Sequence, residues 1–261
     1  MIYLDNNATT RVYEDVVNAM TPYFSDIYYN PSSMYEEAKL SATALETSRE
    51  KVAHFLGAPK ASEILFTSCA TESNSTAIRG ATLANPSRRH IITTTVEHPA
   101  VLALCEELER EGYEIDRIGV DDKGEIDMKA FVKALRPGKT LIVSIMAANN
   151  ETGVIFPIDR LSAITKATDP HILFHTDATQ AAGKMPIDLT DQWKHVDFLS
   201  FSGHKLHAPK GVGVLFMRTG AACRPFLYGG HQERGRRGGT ENIPYIVGLA
   251  KACEIAEDNL K

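Results

Sequence analysis

The sequence is poor in the features that mark specialised protein classes. Its 261 residues hold one tryptophan and four cysteines, Cys69, Cys105, Cys223 and Cys253, with no C-x-x-C pair among them. Such spacing argues against a zinc-ribbon type of metal site and supplies no disulfide framework. No apolar run approaches the roughly 18 residues of a membrane span. The opening Met1-Ile2-Tyr3-Leu4-Asp5 lacks the basic region and apolar core of a secretory leader. The expectation is a cytoplasmic protein with reduced thiols and no membrane contact. Excess positive charge is missing too: 28 Lys and Arg stand against 33 Asp and Glu, a net charge of −5. Nucleic acid and anionic membranes are therefore not expected partners. One local basic cluster, Arg224, Arg234, Arg236 and Arg237, lies near glycines. It reads equally as a phosphate-binding loop or as solvated surface. Internal repeats, low-complexity tracts and linkers are absent as well.

What is present is an ordinary globular composition, 43% hydrophobic and 23% charged. Strand-like apolar runs at 63–67, 91–95, 114–118, 141–145, 172–176, 198–201 and 212–216 alternate with helical patterns at 14–24, 35–56, 72–83, 100–111, 128–135, 158–167 and 244–260. Alternation of this kind predicts an α/β domain, its largely parallel sheet sandwiched by helices, with ligands at the carboxyl ends of the strands. The run 212–216 follows Lys205 too closely for a crossover helix, so that strand is expected to be antiparallel. Residues 1–13 are expected to form an arm outside the sheet.

Candidate chemistry gathers where strands end. Phe201-Ser202-Gly203-His204-Lys205 and Phe174-His175-Thr176-Asp177-Ala178-Thr179-Gln180 each close such a run. A lysine at one strand end and an aspartate at another is what a pyridoxal 5'-phosphate enzyme requires. The lysine bonds to the cofactor aldehyde, and the aspartate keeps the pyridine nitrogen protonated so that the ring accepts electrons. Lys205 must then be unprotonated to attack, which burial near a cationic ring favours; the plain alternative is a surface ion pair. Asp177 either pairs the ring nitrogen or caps a following helix. Gln180 is placed to donate to the ring's phenolic oxygen. In Phe66-Thr67-Ser68-Cys69-Ala70-Thr71-Glu72 a strand gives way to hydroxyls and a helix start, which makes Thr71 a phosphate ligand or an ordinary cap. Ser202 and His204 would complete that cup. His98, after another strand, either stacks on the ring and shuttles protons or caps a helix. Asn150 either orients the cofactor oxygen and substrate carboxylate or serves a turn. His171 and His175 have i, i+4 spacing but flank a strand, which does not bring them together as metal ligands.

These blocks together resemble the cysteine desulfurases, a family within class V of the aminotransferases. The matching runs are Leu4-Asp5-Asn6-Asn7-Ala8-Thr9-Thr10, Asn30-Pro31-Ser32-Ser33, Thr67 to Asn74, Glu97-His98, Asn149 to Gly153, His175 to Gln180 and Ser202 to Lys205. Thr95 to Val101, Phe156-Pro157-Ile158, Lys205 to Gly211 and Gly229 to Asn242 are closer to the nitrogen-fixation, NifS-like branch. The resemblance implies the large domain of a fold type I pyridoxal-phosphate-dependent transferase, a mostly parallel seven-stranded sheet sandwiched by helices, paired as a homodimer. It implies that Lys205 carries the cofactor, Asp177 pairs its ring nitrogen and His98 stacks on it. Thr71, Ser202 and His204 would hold the phosphate, and Gln180 and Asn150 would address the ring oxygen. Thr240 would reach the phosphate of the partner subunit, which would explain the basic loop.

The implied reaction converts L-cysteine to L-alanine. The sulfur passes as a persulfide on an enzyme cysteine to an iron–sulfur scaffold or other acceptor protein. A selenocysteine lyase or another class V enzyme, or a non-catalytic cofactor-domain module serving dimerisation, are the rival readings. The sequence departs from the family at Tyr35, where relatives usually carry histidine. None of the four cysteines matches the loop cysteine that bears the persulfide. The expected organisation is an arm at 1–13 on the small-domain side and a large domain at 14–261. The C-terminal small domain, with its persulfide cysteine and substrate-binding arginine, would be absent, leaving little turnover to this chain alone.

Overall fold

The computed structural model describes residues 2–260; Met1 and Lys261, the outer bounds of the expected arm and domain, lie outside them. Three helices, α1 (Glu14–Met20), α2 (Pro22–Ser25) and α3 (Ala38–Phe55), precede the sheet. Strands and helices then alternate as β1 (Ile64–Thr67), α4 (Ala70–Ala84), β2 (His90–Thr94), α5 (Pro99–Arg110), β3 (Glu114–Ile118), α6 (Met128–Ala134), β4 (Thr140–Ser144), α7 (Ile158–Thr168) and β5 (Leu173–Asp177). The chain continues through β6 (Phe198–Ser202) and β7 (Gly213–Met217) to α8 (Ile243–Asn259).

The seven strands form one sheet in the order β1-β7-β6-β5-β4-β2-β3. β7 runs antiparallel to both β1 and β6, as its short connection requires, and the remaining pairs are parallel. Every strand except edge strand β3 is buried at each position. Helices on both faces are the reason these strands read as unbroken apolar runs. Residues of α4 and α5 pack on one face with Leu65, Leu173 and Phe198. Residues of α1, α3, α6, α7 and α8 pack on the other with Phe66, Phe174 and Phe201.

Two helices depart from the sequence pattern by more than two residues at one end. The predicted helix over 14–24 is two helices, because Pro22 has no N–H to continue the ladder that Thr21 N–H closes onto the Val17 carbonyl at 3.1 Å. The helix expected from 35 starts at Ala38, and residues 35–37 make only tight turns, with Tyr35 O accepting from Ala38 N at 3.2 Å.

Three of the four arginines of the basic cluster are engaged by the protein itself. Arg234 reaches Glu46 at 2.9 Å, Arg236 the Ser62 carbonyl at 2.7 Å, and Arg237 the Glu72 carboxylate at 2.7 and 3.1 Å. The loop is anchored by Glu233, whose carboxylate takes two hydrogen bonds from Arg49, at 2.7 and 3.1 Å. Arg49 is 1% exposed, lies over the Phe66 ring and also donates to the Ile64 carbonyl at 2.8 Å. Glu233 and Arg234 both sit at positive φ, 46° and 58°, a backbone strain the ion pair must hold. The loop closes where Gly229 and Gly238 cross; a β-carbon on Gly238 would stand 2.5 Å from the Gly229 Cα. Removing one partner of a buried pair leaves an uncompensated charge. Glu233→Ala is therefore expected to destabilise the fold by about 3–5 kcal/mol in urea unfolding, and Glu233→Ala with Arg49→Leu by markedly less.

Candidate active site

A cavity of about 400 Å³ opens at the carboxyl ends of the central strands, against the starts of α4 and α5. Every candidate residue lines it except Thr240. The N-terminal arm forms one wall through Asp5, Asn7 and Ala8. That arm is tied down by Thr10 N–H donating to the His204 carbonyl at 2.9 Å and by the Tyr13 ring stacked 4.0 Å from His207.

Asp177 ends β5 and is 5% exposed. One carboxylate oxygen accepts from Thr179 N–H at 2.9 Å, the other from Asn74 Nδ2 at 2.7 Å. The residues after it form turns and not a helix, so the cap reading gives way to a local turn. Lys205 leaves β6 through the 3-10 turn Gly203–Lys205. Its ammonium donates to the carbonyls of Asn7 and, at 2.9 Å, Ala8. Burial lowers the Lys205 pKa, opposed by the negative charges of Asp177, Asp5 and Glu151. Gln180 faces the same space, with its amide donating to the Asn7 carbonyl at 3.0 Å and its oxygen accepting from Lys184.

The far end of the cavity is a set of donors. Cys69 precedes α4 without a side-chain cap, so amides of the first turn stay available beside Thr71. Ser202 Oγ is buried and has no hydrogen-bond partner. A hydroxyl left unpaired in this way costs about 1–3 kcal/mol, an arrangement that a bound oxyanion would relieve. His204 Nδ1 pairs with Thr9 Oγ1 at 3.1 Å, which leaves Nε2 free; burial and then Lys205 and Lys210 lower its pKa.

His98 lines the cavity and caps α5: its Nδ1 accepts from Ala100 N–H at 3.1 Å, so the ring proton sits on Nε2. Asn150 lines it too, while Asn149 builds the turn, with Oδ1 accepting from the Glu151 and Thr152 amides at 2.9 Å. Thr240 lies elsewhere, in a second cavity of about 200 Å³ under the arginine loop, beside Thr67, Ser68 and Arg237. Burial raises the pKa of Cys105 and of Cys223 to about 12 and pushes Cys253 further up; Cys69 alone of the four lines the active-site cavity.

Two buried groups near the site were not singled out from sequence for roles of their own. Asn74 lies inside α4 and faces Asp177. Glu97 is buried, with one oxygen bound by Thr94 Oγ1 at 2.8 Å and Met146 N–H at 2.9 Å and the other without a partner. Burial pushes Glu97 up to about 8, and the charge of Asp177 acts in the same direction. Below them His175 sits inside the sheet between Ser144 Oγ at 2.8 Å and Ser200 Oγ at 3.0 Å, held down to about 4 by burial. Both Asn74 and Glu97 fall inside the quoted motifs, but nothing in the spacing distinguishes them there from helix-surface or capping residues.

The sequence pattern of the aminotransferase class-V family matches residues 2–260, and the chain belongs to that family. Its members depend on pyridoxal phosphate. The chain is 51% identical over its whole length to cysteine desulfurase 2 of Trichormus variabilis, of which it covers 64%. It is 53% identical over 255 residues, 98% of its own length, to the cysteine desulfurase NifS of Azotobacter vinelandii, of which it covers 62%. It therefore spans a little under two thirds of these relatives. Among solved structures, a NifS-like protein superposes with a TM-score of 0.96 at 43% identity, covering 99% of this chain and 70% of that one. The structure of SspA in complex with cysteine superposes with a TM-score of 0.91 at 38% identity, covering 97% of this chain and 72% of that one.

The residues present fit pyridoxal phosphate. A donor cup with an orphan hydroxyl suits its phosphate, a buried carboxylate suits its protonated nitrogen, and a lysine whose pKa burial lowers suits its aldehyde.

The buried Glu97 and His175 make stability depend on pH in opposite senses. Folding holds a proton on Glu97 up to about pH 8 that the unfolded chain has already lost, so its contribution falls as pH rises toward 8. Folding keeps His175 neutral down to about pH 4, so its contribution falls as pH drops from about 6.5. Above about pH 6.5 the Glu97 effect stands alone of the two. Glu97→Gln should therefore gain stability relative to the unmodified chain between pH 6.5 and 8, read by urea unfolding; a constant gap would contradict a protonated Glu97.

Proposed function

We propose that the protein is a cytoplasmic, homodimeric cysteine desulfurase of the NifS-like branch. It would convert L-cysteine to L-alanine and pass the sulfur to an iron–sulfur scaffold or other acceptor protein, as a persulfide on a loop cysteine that none of Cys69, Cys105, Cys223 and Cys253 matches. Residues 14–261 are its cofactor-binding large domain, with residues 1–13 as an arm. The observation that carries this reading is the convergence of Lys205, Asp177, His98 and the orphan Ser202 hydroxyl on one cavity at the mouth of α4. Relatives named cysteine desulfurases, at 51% and 53% identity, and a structural neighbour complexed with cysteine support the choice of reaction and substrate.

When bound, pyridoxal phosphate supplies an electron sink for the pair left on the substrate Cα by loss of its proton. Lys205 Nζ would hold the cofactor through its aldehyde and would serve as the base that takes and returns the Cα proton. The lowering of its pKa by burial suits that work, for which the ammonium must leave the Asn7 and Ala8 carbonyls that hold it here. Asp177 holds the proton on the ring nitrogen. Thr71, Ser202, His204 and the first amides of α4 hold the phosphate. His98 would stack on the ring, Gln180 would address the ring oxygen, and Asn150 would orient the substrate side. Thr240, set apart beneath the arginine loop, serves the partner subunit's phosphate.

Borohydride reduction of the chain with pyridoxal phosphate is expected to leave a covalent adduct on Lys205, located by peptide mass spectrometry. Lys205→Ala should leave none, and an unchanged adduct in that variant overturns the assignment. Alanine formed by the protein from L-cysteine, against Lys205→Ala as background, tests the reaction itself. Preference for selenocysteine, or exchange between amino and keto acids without alanine from cysteine, would replace the desulfurase reading with another of its class.

A further inference from the structure

Asn74 stands out as a buried polar residue that the reaction outlined above does not use. It lies in the interior of α4, where asparagine is a poor helix former, and it is 0% exposed. It follows Thr71 by three residues, so the two share a helix face: Thr71 at the donor cup and Asn74 one turn deeper. Its Nδ2 donates to Asp177 at 2.7 Å, while its Oδ1 has no partner. Ionised, a carboxylate only accepts, so the opposite amide orientation would set oxygen against oxygen. The bond is of the charge-assisted kind, stronger than a neutral pair. Thr179 N–H holds the second Asp177 oxygen at 2.9 Å, so the two donors together fix the plane of the carboxylate.

We propose that Asn74 is a positioning residue: it fixes the orientation of Asp177 toward the ring nitrogen of the cofactor, so that one face of α4 sets both ends of the ligand. This rests on the cofactor reading given above. Asn74 touches the partner of the ring and does no chemistry of its own. The unpaired Oδ1 is what the site tolerates in exchange for that orientation, because an apolar residue of the same size would pack the helix and leave Asp177 held on one side only.

The test is the affinity of the full chain for pyridoxal phosphate by equilibrium dialysis, in a cycle with Asp177→Asn. Asn74→Leu is expected to weaken binding about tenfold or more, from loss of one hydrogen bond to a charged group. In the Asp177→Asn background the same change should cost less than about twofold, because the group it positions is gone. Asn74→Asp, isosteric but with an acceptor in place of the donor, should weaken binding at least as much and serves if the leucine variant does not fold. Unchanged affinity in either variant, or losses that multiply across the cycle as a general packing defect would, overturns the proposal. Wild-type affinity in Asp177→Asn alone would instead overturn the cofactor reading on which it rests.

Discussion

A carboxylate at the carboxyl end of a fully buried strand is a charge that the interior accepts only when donors surround it. Asp177 meets that condition through a backbone amide from its own turn and a side-chain amide from α4. The arrangement of β5 and α4, and with them the two ends of the cavity, follows from satisfying this one group. The opposing wall is supplied by the arm, whose Asn7 carbonyl receives both Lys205 and Gln180.

The surroundings keep two further buried titratable groups near the site neutral. Glu97 is protonated and His175 unprotonated at neutral pH, each because burial penalises its charged form. Neither then adds charge beside Asp177 and Lys205. A row of hydroxyl, imidazole and hydroxyl from Ser144 through His175 to Ser200 crosses three strands beneath the site and satisfies the polar groups there without adding charge.

A second buried pair does structural work at a distance. Arg49 and Glu233 pin the glycine-rich loop to α3 and β1, and Arg237 ties the same loop to Glu72 on the first turn of α4. Glu72 also accepts from Ser68 N–H at 2.7 Å. The helix start that carries Thr71 toward the cavity is thus braced from behind by the loop that carries Thr240. The two cavities adjoin successive stretches of the chain from β1 into α4, Thr67 and Ser68 lining the second and Cys69, Ala70 and Thr71 the first.

The alternation of apolar runs and helical patterns determined the layered α/β sheet, because period and length are local properties of the chain; even the antiparallel sense of β7 followed from the short connection before it. The residues of the cavity were legible because they sit at strand ends, where a parallel sheet must present its ligands. Local pattern did not decide what each one touches. Whether His98 capped a helix or faced the cavity was open in sequence, and the structure has it do both. The arginine cluster looked solvent-facing or phosphate-binding until Glu46, Glu72 and the Ser62 carbonyl, distant in sequence, came to meet Arg234, Arg237 and Arg236. Asn74 and Glu97 carry no spacing signal, since a buried amide or a neutral carboxylic acid is defined by neighbours from other elements. The order of the elements lay in the chain itself, whereas the partners of the buried polar groups came only with tertiary packing, because desolvation and hydrogen bonding depend on which segments meet.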